Sequence, residues 1–158
     1  MIRCVAAIDK KRGLADEHGI PWQGKLPSDV SYYHQKIKGA ATLMGYGMYL
    51  ELSKPLVNQF NYVASKRGTK LRDGFMLVAD AVNFLLNAEE DVWILGGADL
   101  FASTMHLADE LYITRLQADF NCTKFFPEFE QQFTLAHKSA KQEENGITFY
   151  FQVWNKKL

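Results

Sequence analysis

One acidic residue of this chain stands among apolar and aromatic neighbours, a setting in which a carboxylate normally has a binding partner. Asp29 follows Trp22 and Leu26, and Tyr33 would lie one helical turn later on the same face. An ionised carboxylate accepts two hydrogen bonds in one plane, which complements a ring edge that presents two N–H donors. Asp29 is therefore a candidate anchor for a nitrogen heterocycle. Acidic residues in a first helical turn also act as caps or dipole partners, and spacing alone leaves that interpretation open.

A glycine pair lies between an apolar strand pattern and a helical pattern. Gly96 and Gly97 follow the run Val-Trp-Ile-Leu and precede Ala98. Glycine lets another group approach the backbone closely, and the first N–H groups of a helix attract anions, so the pair is a candidate phosphate site. A tight strand-to-helix turn explains the pattern equally well. Neither a G-x-G-x-x-G fingerprint nor a G-x-x-x-x-G-K-[ST] loop occurs in the sequence. Their absence disfavours a Rossmann-type dinucleotide site and a P-loop nucleotide site.

A small basic cluster ends another strand pattern. Ser65, Lys66 and Arg67 precede Gly68, and most clusters of this kind are solvated turns. At the carboxyl edge of an α/β sheet, a serine and two cations are also suited to the 2′-phosphate that distinguishes NADP from NAD. Both interpretations remain open.

The elements that would position these residues alternate along the chain. Strand patterns occupy residues 2–8, 41–45, 60–65, 75–78, 92–95 and 111–116. Helical patterns occupy residues 28–39, with a Ser or Pro-Ser start signal, and residues 46–52, 80–88 and 97–105. This alternation predicts an α/β fold with a mostly parallel, twisted sheet flanked by helices, in a single domain over residues 1–158.

The last third of the chain has a different pattern. Residues 131–141 and 147–154 are joined by Glu-Glu-Asn-Gly, which predicts an antiparallel C-terminal hairpin at the edge of the sheet. Residues 9–23 are the longest stretch without a clear element. Loops of that length in compact domains are often lids, so we expect this loop to close over a ligand.

Composition narrows the function class. Eighteen Lys plus Arg balance eighteen Asp plus Glu, so no overall field favours nucleic acid or an anionic membrane. The amino-terminal apolar run is short and soon followed by charges, and no stretch is apolar enough for a membrane span, so we expect a cytoplasmic protein. Cys4 and Cys122 form no Cys-x-x-Cys or Cys/His cluster, and we expect free thiols and no metal.

Taken together, these segments resemble the dihydrofolate reductase family along almost the entire chain. Seven motifs carry the resemblance in the family's order: Ala6-Ala7 in the first strand, the loop end G-I-P-W, the helix start L-P-x-D, Met44-Gly45, Leu95-Gly96-Gly97-Ala98, Leu111-Tyr112-Ile113-Thr114, and Phe126-Pro127.

The resemblance implies a role for each matching residue. It implies that Asp29 anchors a pteridine ring, that Thr114 supports Asp29, and that Trp22 holds a water beside it. The implied substrate pocket is lined by Val5, Ala6, Tyr33 and Leu52, with Lys54 and Gln59 at the end that receives the substrate's tail. The implied cofactor residues are Ala7, Leu14, Ile20, Gly45, Tyr46, Met48, Ser65, Lys66, Gly96, Gly97, Ala98, Leu100 and Phe101.

The chain departs from the family pattern at three places. Tyr46 and Met48 stand where the family usually has an Arg and a Thr that face the cofactor phosphates. Two residues near Gly24-Lys25 are inserted before the L-P-x-D motif. Gln59 stands where the family has an Arg that pairs with the α-carboxylate of the folate glutamate, and Lys54 is the nearest cation along the sequence.

The resemblance implies an NADPH-dependent reduction of 7,8-dihydrofolate to tetrahydrofolate by a monomer whose partners are small molecules, with neither nucleic acid nor membrane involved. Asp29, buried among apolar groups, would have a raised pKa, and its negative form would favour the protonated pterin that accepts hydride. Gln59 keeps open a reductase of a tail-less pterin or of a riboflavin-pathway pyrimidine. Tyr46 and Met48 keep open a non-catalytic binding module.

Overall fold

A twisted sheet of nine strands organises the chain in the computed structural model, which describes residues 1–57, 59–68 and 70–158. Three apolar runs form its centre: β1 (Ile2–Ile8), β3 (Ala41–Gly45) and β6 (Val92–Gly96). Continuous apolar runs of this length suit strands that are covered on both faces, and parallel sheets have that property. The strand order is β10-β11-β7-β1-β6-β3-β4-β5, with β9 paired to β11.

Helices and shorter strands complete the fold. The remaining strands are β2 (Gly13–Ala15), β4 (Phe60–Ala64), β5 (Phe75–Val78), β7 (Glu110–Leu116), β8 (Lys124–Phe125), β9 (Phe133–Lys138), β10 (Gln142–Glu144) and β11 (Ile147–Lys156). The helices are α1 (Pro27–Ile37), α2 (Tyr46–Glu51), α3 (Ala81–Leu86) and α4 (Ala98–Thr104), which continues into a 3₁₀ turn over Met105–Leu107. The predicted fold class, a mostly parallel sheet with an antiparallel C-terminal part, is confirmed.

The antiparallel C-terminal part is present, but a short strand that was not predicted stands next to its turn. The turn at Asn145 and Gly146 joins β11 to the short strand β10, and both turn residues have positive φ, 49° and 78°. A two-residue Asn-Gly turn with both φ values positive matches the twist of an antiparallel pair. The predicted partner segment, residues 131–141, supplies β9 instead, which pairs with the far end of β11. A bulge between Val153 and Trp154 marks where the β9 register shifts.

The long helix α1 begins without the expected side-chain cap. Leu26 is the N-cap residue and makes no side-chain capping bond, and Pro27 is the first helical residue. Proline at that position loses no helical hydrogen bond and has the right φ. Ser28 therefore lies inside the helix rather than at its cap, which leaves its hydroxyl free to bind another part of the chain.

The loop over residues 9–23 is anchored at several points. Within it β2 pairs with β8. The Asp9 side chain is fully buried and accepts hydrogen bonds from the backbone N–H groups of Lys11, Gly13 and Phe120. These bonds fix the first half of the loop to the segment before β8. In the part of the chain that the structure describes, no helix is long and apolar enough to cross a membrane.

Candidate active site

The parallel strands bring the predicted site residues to one edge of the sheet. In parallel neighbours the carboxyl ends lie side by side, and a crevice forms where the strand order diverges. Strand β1 lies between β7 on one side and β6 on the other, so the carboxyl ends of the three strands are adjacent. Ala7 of β1 is in register with Thr114 of β7, and Met44 of β3 with Gly96 of β6. The sheet therefore places Thr114 and the glycine pair Gly96-Gly97 at the ends of closely spaced strands.

Asp29 and Thr114 form the polar centre of this edge. Asp29 is the third residue of α1, and its Oδ1 accepts a hydrogen bond of 2.6 Å from the Thr114 hydroxyl. Thr114 is buried in β7, so this contact links the helix to the sheet. Burial raises the pKa of Asp29, the Thr114 hydrogen bond opposes that rise, and the nearby charge of Glu144 adds to it. The raised pKa of a carboxyl in an apolar setting is a recognised mark of functional sites.

Three residues close to Asp29 along the chain, Trp22, Leu26 and Tyr33, are aromatic or aliphatic and mostly buried. Trp22 and Leu26 are 5% and 2% exposed, and the Trp22 ring packs edge-on against Phe120 with 5.2 Å between centroids. The Tyr33 hydroxyl is buried and has no hydrogen-bond partner among the described residues. Burial raises the pKa of Tyr33, so this side chain is neutral. An unpartnered buried hydroxyl is costly, which indicates a group that bonds to a bound molecule or water.

The other predicted substrate residues lie along β1 and at the end of α2. Val5 is buried, Ala6 is partly buried and packs against the main core cluster, and Leu52 is the C-cap residue of α2. The Arg72 guanidinium fixes that end of α2, because it donates to the carbonyl oxygens of Tyr49 and Leu52.

The glycines leave room for a ligand's polar groups at the ends of β3 and β6. A Cβ built on Gly97 would have no atom within 4 Å, whereas one on Gly96 would lie 2.8 Å from the Phe101 ring. Gly96 also has a φ of 109°, which side-chain-bearing residues rarely adopt. A Cβ on Gly45 would lie 3.5 Å from the Gly96 carbonyl oxygen. The open space at Gly97 leaves room for a diphosphate to approach the backbone.

The residues around these glycines differ in accessibility. Leu100 and Phe101 of α4 are buried in the core, whereas Ala98 is partly buried. Ser65 is buried, with its hydroxyl accepting from the Arg67 N–H, and Lys66 and Arg67 are exposed beside it. This arrangement of one hydroxyl and two accessible cations at the end of β4 fits a phosphate monoester.

The residues at the remaining cofactor positions are mostly apolar. Tyr46 and Met48 are partly buried and pack against a core cluster that includes Tyr49. Neither supplies a cation or a short hydroxyl chain like the family's Arg and Thr. In the long loop, Ile20 is 44% exposed, and Ala7 of β1 packs in the cluster around Trp22.

Gln59 lies at one wall of a cavity of about 350 Å³. Its amide N–H donates to the carbonyl oxygen of Ile37 at 3.2 Å, and its Oε1 is buried without a partner among the described residues. The cavity is lined by His34, Lys38, Pro55, Leu56, Val57 and Gln59. Lys54 is exposed and does not line it, so Lys38 of the α1 C-terminus supplies the ammonium group at this cavity.

Two acidic residues that sequence reasoning did not single out take part in this architecture. Asp9 fixes the long loop, and a turn signal was available because Asp side chains commonly bind the backbone N–H two residues on, as Asp9 does at Lys11. Glu144 binds the first turn of α1 from a strand more than a hundred residues away. No local pattern could have indicated that contact. Among the described residues, no group of three His, Cys, Asp or Glu side chains could hold a metal ion.

Known proteins resemble this chain over its full length. The family model described as Dihydrofolate reductase matches residues 1–156. The dihydrofolate reductase of Bacillus subtilis is 26% identical over 99% of this chain and 95% of its own length, and that of Haemophilus influenzae is 28% identical over 92% and 93%. A solved structure of the Enterococcus faecalis dihydrofolate reductase, complexed with NADP(H) and RAB-propyl, has a TM-score of 0.87 at 20% identity. It covers 100% of this chain and 97% of that one.

The structural likeness confirms the fold, and the family match extends from β1 into the last residues of β11. The seven motifs quoted above all lie inside the matched range. The chain belongs to the dihydrofolate reductase family.

Proposed function

We propose that this chain reduces 7,8-dihydrofolate to 5,6,7,8-tetrahydrofolate with NADPH, and that Asp29 anchors the pterin ring. Family membership supports the reaction and the cofactor. The observation that carries the role of Asp29 is its position: a buried carboxyl with a raised pKa, held by Thr114 in the first turn of α1. It is the only carboxylate that the structure brings to this apolar part of the crevice among the predicted site residues.

The Asp29 carboxylate is suited to bind the 2-amino-4-oxo edge of a pterin. Thr114 occupies one lone pair of Oδ1, and the remaining lone pairs of both oxygens can accept two parallel N–H donors. Two such bonds to an ionised acceptor fix both the position and the plane of the ring. The apolar neighbours keep competing water away from these bonds, which strengthens them.

Asp29 also determines how readily the bound pterin holds a proton. The ring accepts hydride more easily when it is protonated, because the added charge makes the reacting carbon more electrophilic. A carboxylate in an apolar setting is stabilised by sharing a proton with its partner, so the Asp29–pterin pair keeps one proton to a higher pH than either group alone in water. Thr114 orients the carboxylate for this role.

The cofactor residues divide into groups that hold different parts of NADPH. Gly45, Gly96 and Gly97 would border the diphosphate, and Ser65 with Lys66 would bind the 2′-phosphate. NADPH, when bound, supplies the hydride. Ala7, Leu14 and Ile20 are small or apolar, and would exclude water from the reacting face while the anchored loop of residues 9–23 covers it.

Steady-state absorbance measures this function directly. Purified protein with NADPH and dihydrofolate should lose the absorbance band of the reduced nicotinamide continuously, and the loss should depend on both compounds. Binding of both ligands without turnover would instead identify a non-catalytic binding module and contradict the proposed reaction.

A second candidate substrate is a pterin without the glutamate tail, and the state of Gln59 favours it. Its amide N–H is already bonded to the Ile37 carbonyl, and an amide cannot form the charge-assisted pair that an Arg forms with a carboxylate. Comparing kcat/KM for dihydrofolate and for a tail-less dihydropterin separates the two candidates. A higher value for the tail-less compound would assign the enzyme to that substrate.

We also propose that the enzyme acts as a single-domain monomer in the cytoplasm, with small molecules as its partners. The equal numbers of acidic and basic residues support a protein that is not attracted to nucleic acid or anionic lipid. Size-exclusion chromatography with light scattering measures the oligomeric state, and a dimer mass would contradict this part of the proposal.

A further inference from the structure

A carboxylate from the C-terminal hairpin binds the first turn of the helix that carries Asp29. Glu144, at the end of β10, accepts two hydrogen bonds from Ser28: one of 3.0 Å from the backbone N–H to Oε1, and one of 2.6 Å from the hydroxyl to Oε2. Ser28 immediately precedes Asp29 along the chain. Beside this contact, the Asn145 amide donates to the carbonyl oxygen of Lys25 at 2.7 Å.

These contacts replace the local cap that α1 lacks. The first N–H groups of a helix have no partner within the helix, and Leu26 offers no side-chain acceptor. Glu144 satisfies the Ser28 N–H and places a negative charge at the positive end of the helix dipole. The start of α1 is therefore fixed by a strand that is distant in sequence and contributes no predicted substrate contact.

We infer that Glu144 is a positioning residue for the reaction, acting on Asp29 through the amino-terminal turn of α1. The inference rests on the proposed role of Asp29 as the pterin anchor. A displacement of the Ser28–Asp29 backbone would move the carboxylate relative to Thr114, and reacting groups depend on positions held to a fraction of an ångström. The two-residue insertion near Gly24-Lys25 takes part in the same attachment, through the Lys25 carbonyl oxygen.

The charge of Glu144 acts on Asp29 as well. The polar groups that face Asp29 are Thr114 from β7, Glu144 from β10 and Tyr32 from α1 itself. Burial raises the pKa of Tyr32 to about 12, so this group is neutral over the working range. Among the residues outside positions 58 and 69, no Lys, Arg or His lies within ion-pair distance of Glu144 or Asp29. The negative charge of Glu144 is thus uncompensated there, and it favours the proton-bound state of its neighbour.

Two substitutions separate the positional effect from the charge effect. Glu144→Gln keeps an acceptor for the Ser28 N–H and gives its amide N–H to the Ser28 oxygen, so it removes the charge and preserves the attachment. Glu144→Ala removes both. Glu143→Gln is the matched control, because this neighbour is exposed and carries the same charge.

The measurement is the pH dependence of single-turnover hydride transfer, together with a carbon NMR titration of the Asp29 carboxyl in the ligand-free variants. We expect Glu144→Gln to keep the wild-type plateau rate at low pH while both midpoints move to lower pH. Glu144→Ala should show the same direction of shift and also lose about twofold to tenfold in plateau rate, because it removes both hydrogen bonds that fix the start of α1. Glu143→Gln should match the wild type in both respects.

A wild-type plateau rate in Glu144→Ala would overturn the positional inference. Unchanged midpoints in Glu144→Gln, or an equal shift in Glu143→Gln, would overturn the charge effect. If the Glu144→Ala variant does not fold, Ser28→Ala tests the position instead, because it removes the hydroxyl donor to Glu144 and keeps both charges. An Asp29→Asn variant with wild-type activity would show instead that the proposed role of Asp29 is wrong. The NMR titration still reports the Glu144–Asp29 coupling in that case, so the two failures are distinguishable.

Discussion

The Thr114 hydroxyl donates a hydrogen bond to the Asp29 carboxylate over 2.6 Å, joining the first turn of α1 to the sheet strand next to β1. Because the bond goes to the charged form of the carboxyl, it opposes the effect of burial on the pKa of Asp29. The balance between burial and the Thr114 hydrogen bond sets the pKa of Asp29, and each of the two effects can be changed by a separate substitution.

Replacing Thr114 with Val should raise the pKa of Asp29 further. The side chains have nearly the same shape, so the main loss is the hydroxyl donor, at a cost of about 1 kcal/mol in the free energy of unfolding. A carbon NMR titration of the Asp29 carboxyl measures the shift. Thr42→Val is the matched control, because its buried hydroxyl donates to the Phe60 carbonyl in another part of the sheet. A pKa that is unchanged in Thr114→Val would contradict the contact.

Asp29→Asn should make the protein more stable at neutral pH. A carboxyl whose folded-state pKa lies above its unfolded value contributes stability below the unfolded pKa, and that contribution is lost as the pH rises through the folded pKa. The amide does not titrate and has no such loss. Urea unfolding at several pH values should therefore show an advantage of the Asn variant that grows from acid to neutral pH. An advantage that is the same at every pH would show that titration of Asp29 is not its cause.

The basic cluster after β4 should determine the preference for NADPH over NADH. Replacing Lys66 and Arg67 with Ala should raise the KM for NADPH about tenfold, since each exposed pair with a phosphate contributes about 0.2–1 kcal/mol or somewhat more. The KM for NADH should remain nearly constant, because NADH lacks the 2′-phosphate. Replacing both Lys141 and Lys157 with Ala, at exposed positions, controls for the loss of two positive charges. Equal effects on both cofactors would identify the cluster as an ordinary solvated turn.

Gln59→Arg should tighten dihydrofolate binding while leaving a tail-less dihydropterin unaffected. A charge-assisted pair with the α-carboxylate contributes about 1.5–3 kcal/mol, roughly tenfold to a hundredfold in affinity, and exposure to solvent favours the lower end. Dissociation constants of the two ligands on both proteins form a double-mutant cycle. Gln59→Met, which lacks the charge, is the control for losing the bond to Ile37. A coupling near zero would mean that Lys38 already binds the tail or that residue 59 does not face it.

The sequence predicted most of the sheet, because the buried central strands are short apolar runs bounded by turn residues. It predicted that residues 131–141 pair with the last strand, and β9 does pair with β11. It missed the short strand β10, because β10 is polar and only the Asn-Gly turn marks it. The Pro-Ser start signal predicted the beginning of α1, at Pro27 in the structure, but not what Ser28 binds. Ser28 has the chemistry of a cap but binds Glu144 instead, and a long-range contact of that kind leaves no local trace.

Site residues were predictable where a motif fixed them and unpredictable where packing did. Asp29 and Thr114 could be assigned because the family motifs contain them, and the structure brings them into contact. Lys38 could not be assigned, because its place beside Gln59 depends on where the C-terminus of α1 passes the segment before β4. Lys54, the nearest cation in sequence to Gln59, is exposed outside that cavity.

The central claim is that the Asp29 carboxylate anchors the pterin and favours its protonated form. The pH–rate profile of Asp29→Asn tests this claim most directly. Single-turnover hydride transfer from NADPH to dihydrofolate should fall by at least about a hundredfold at pH 7 in this variant, within the usual range for a positioned acid–base group. It should recover partly in acid, where solution protonates the substrate. A circular dichroism spectrum like that of the wild type confirms that the fold is intact. Wild-type rates at pH 7 and above would contradict the account, and would leave Asp29 as a residue that only stabilises the start of α1.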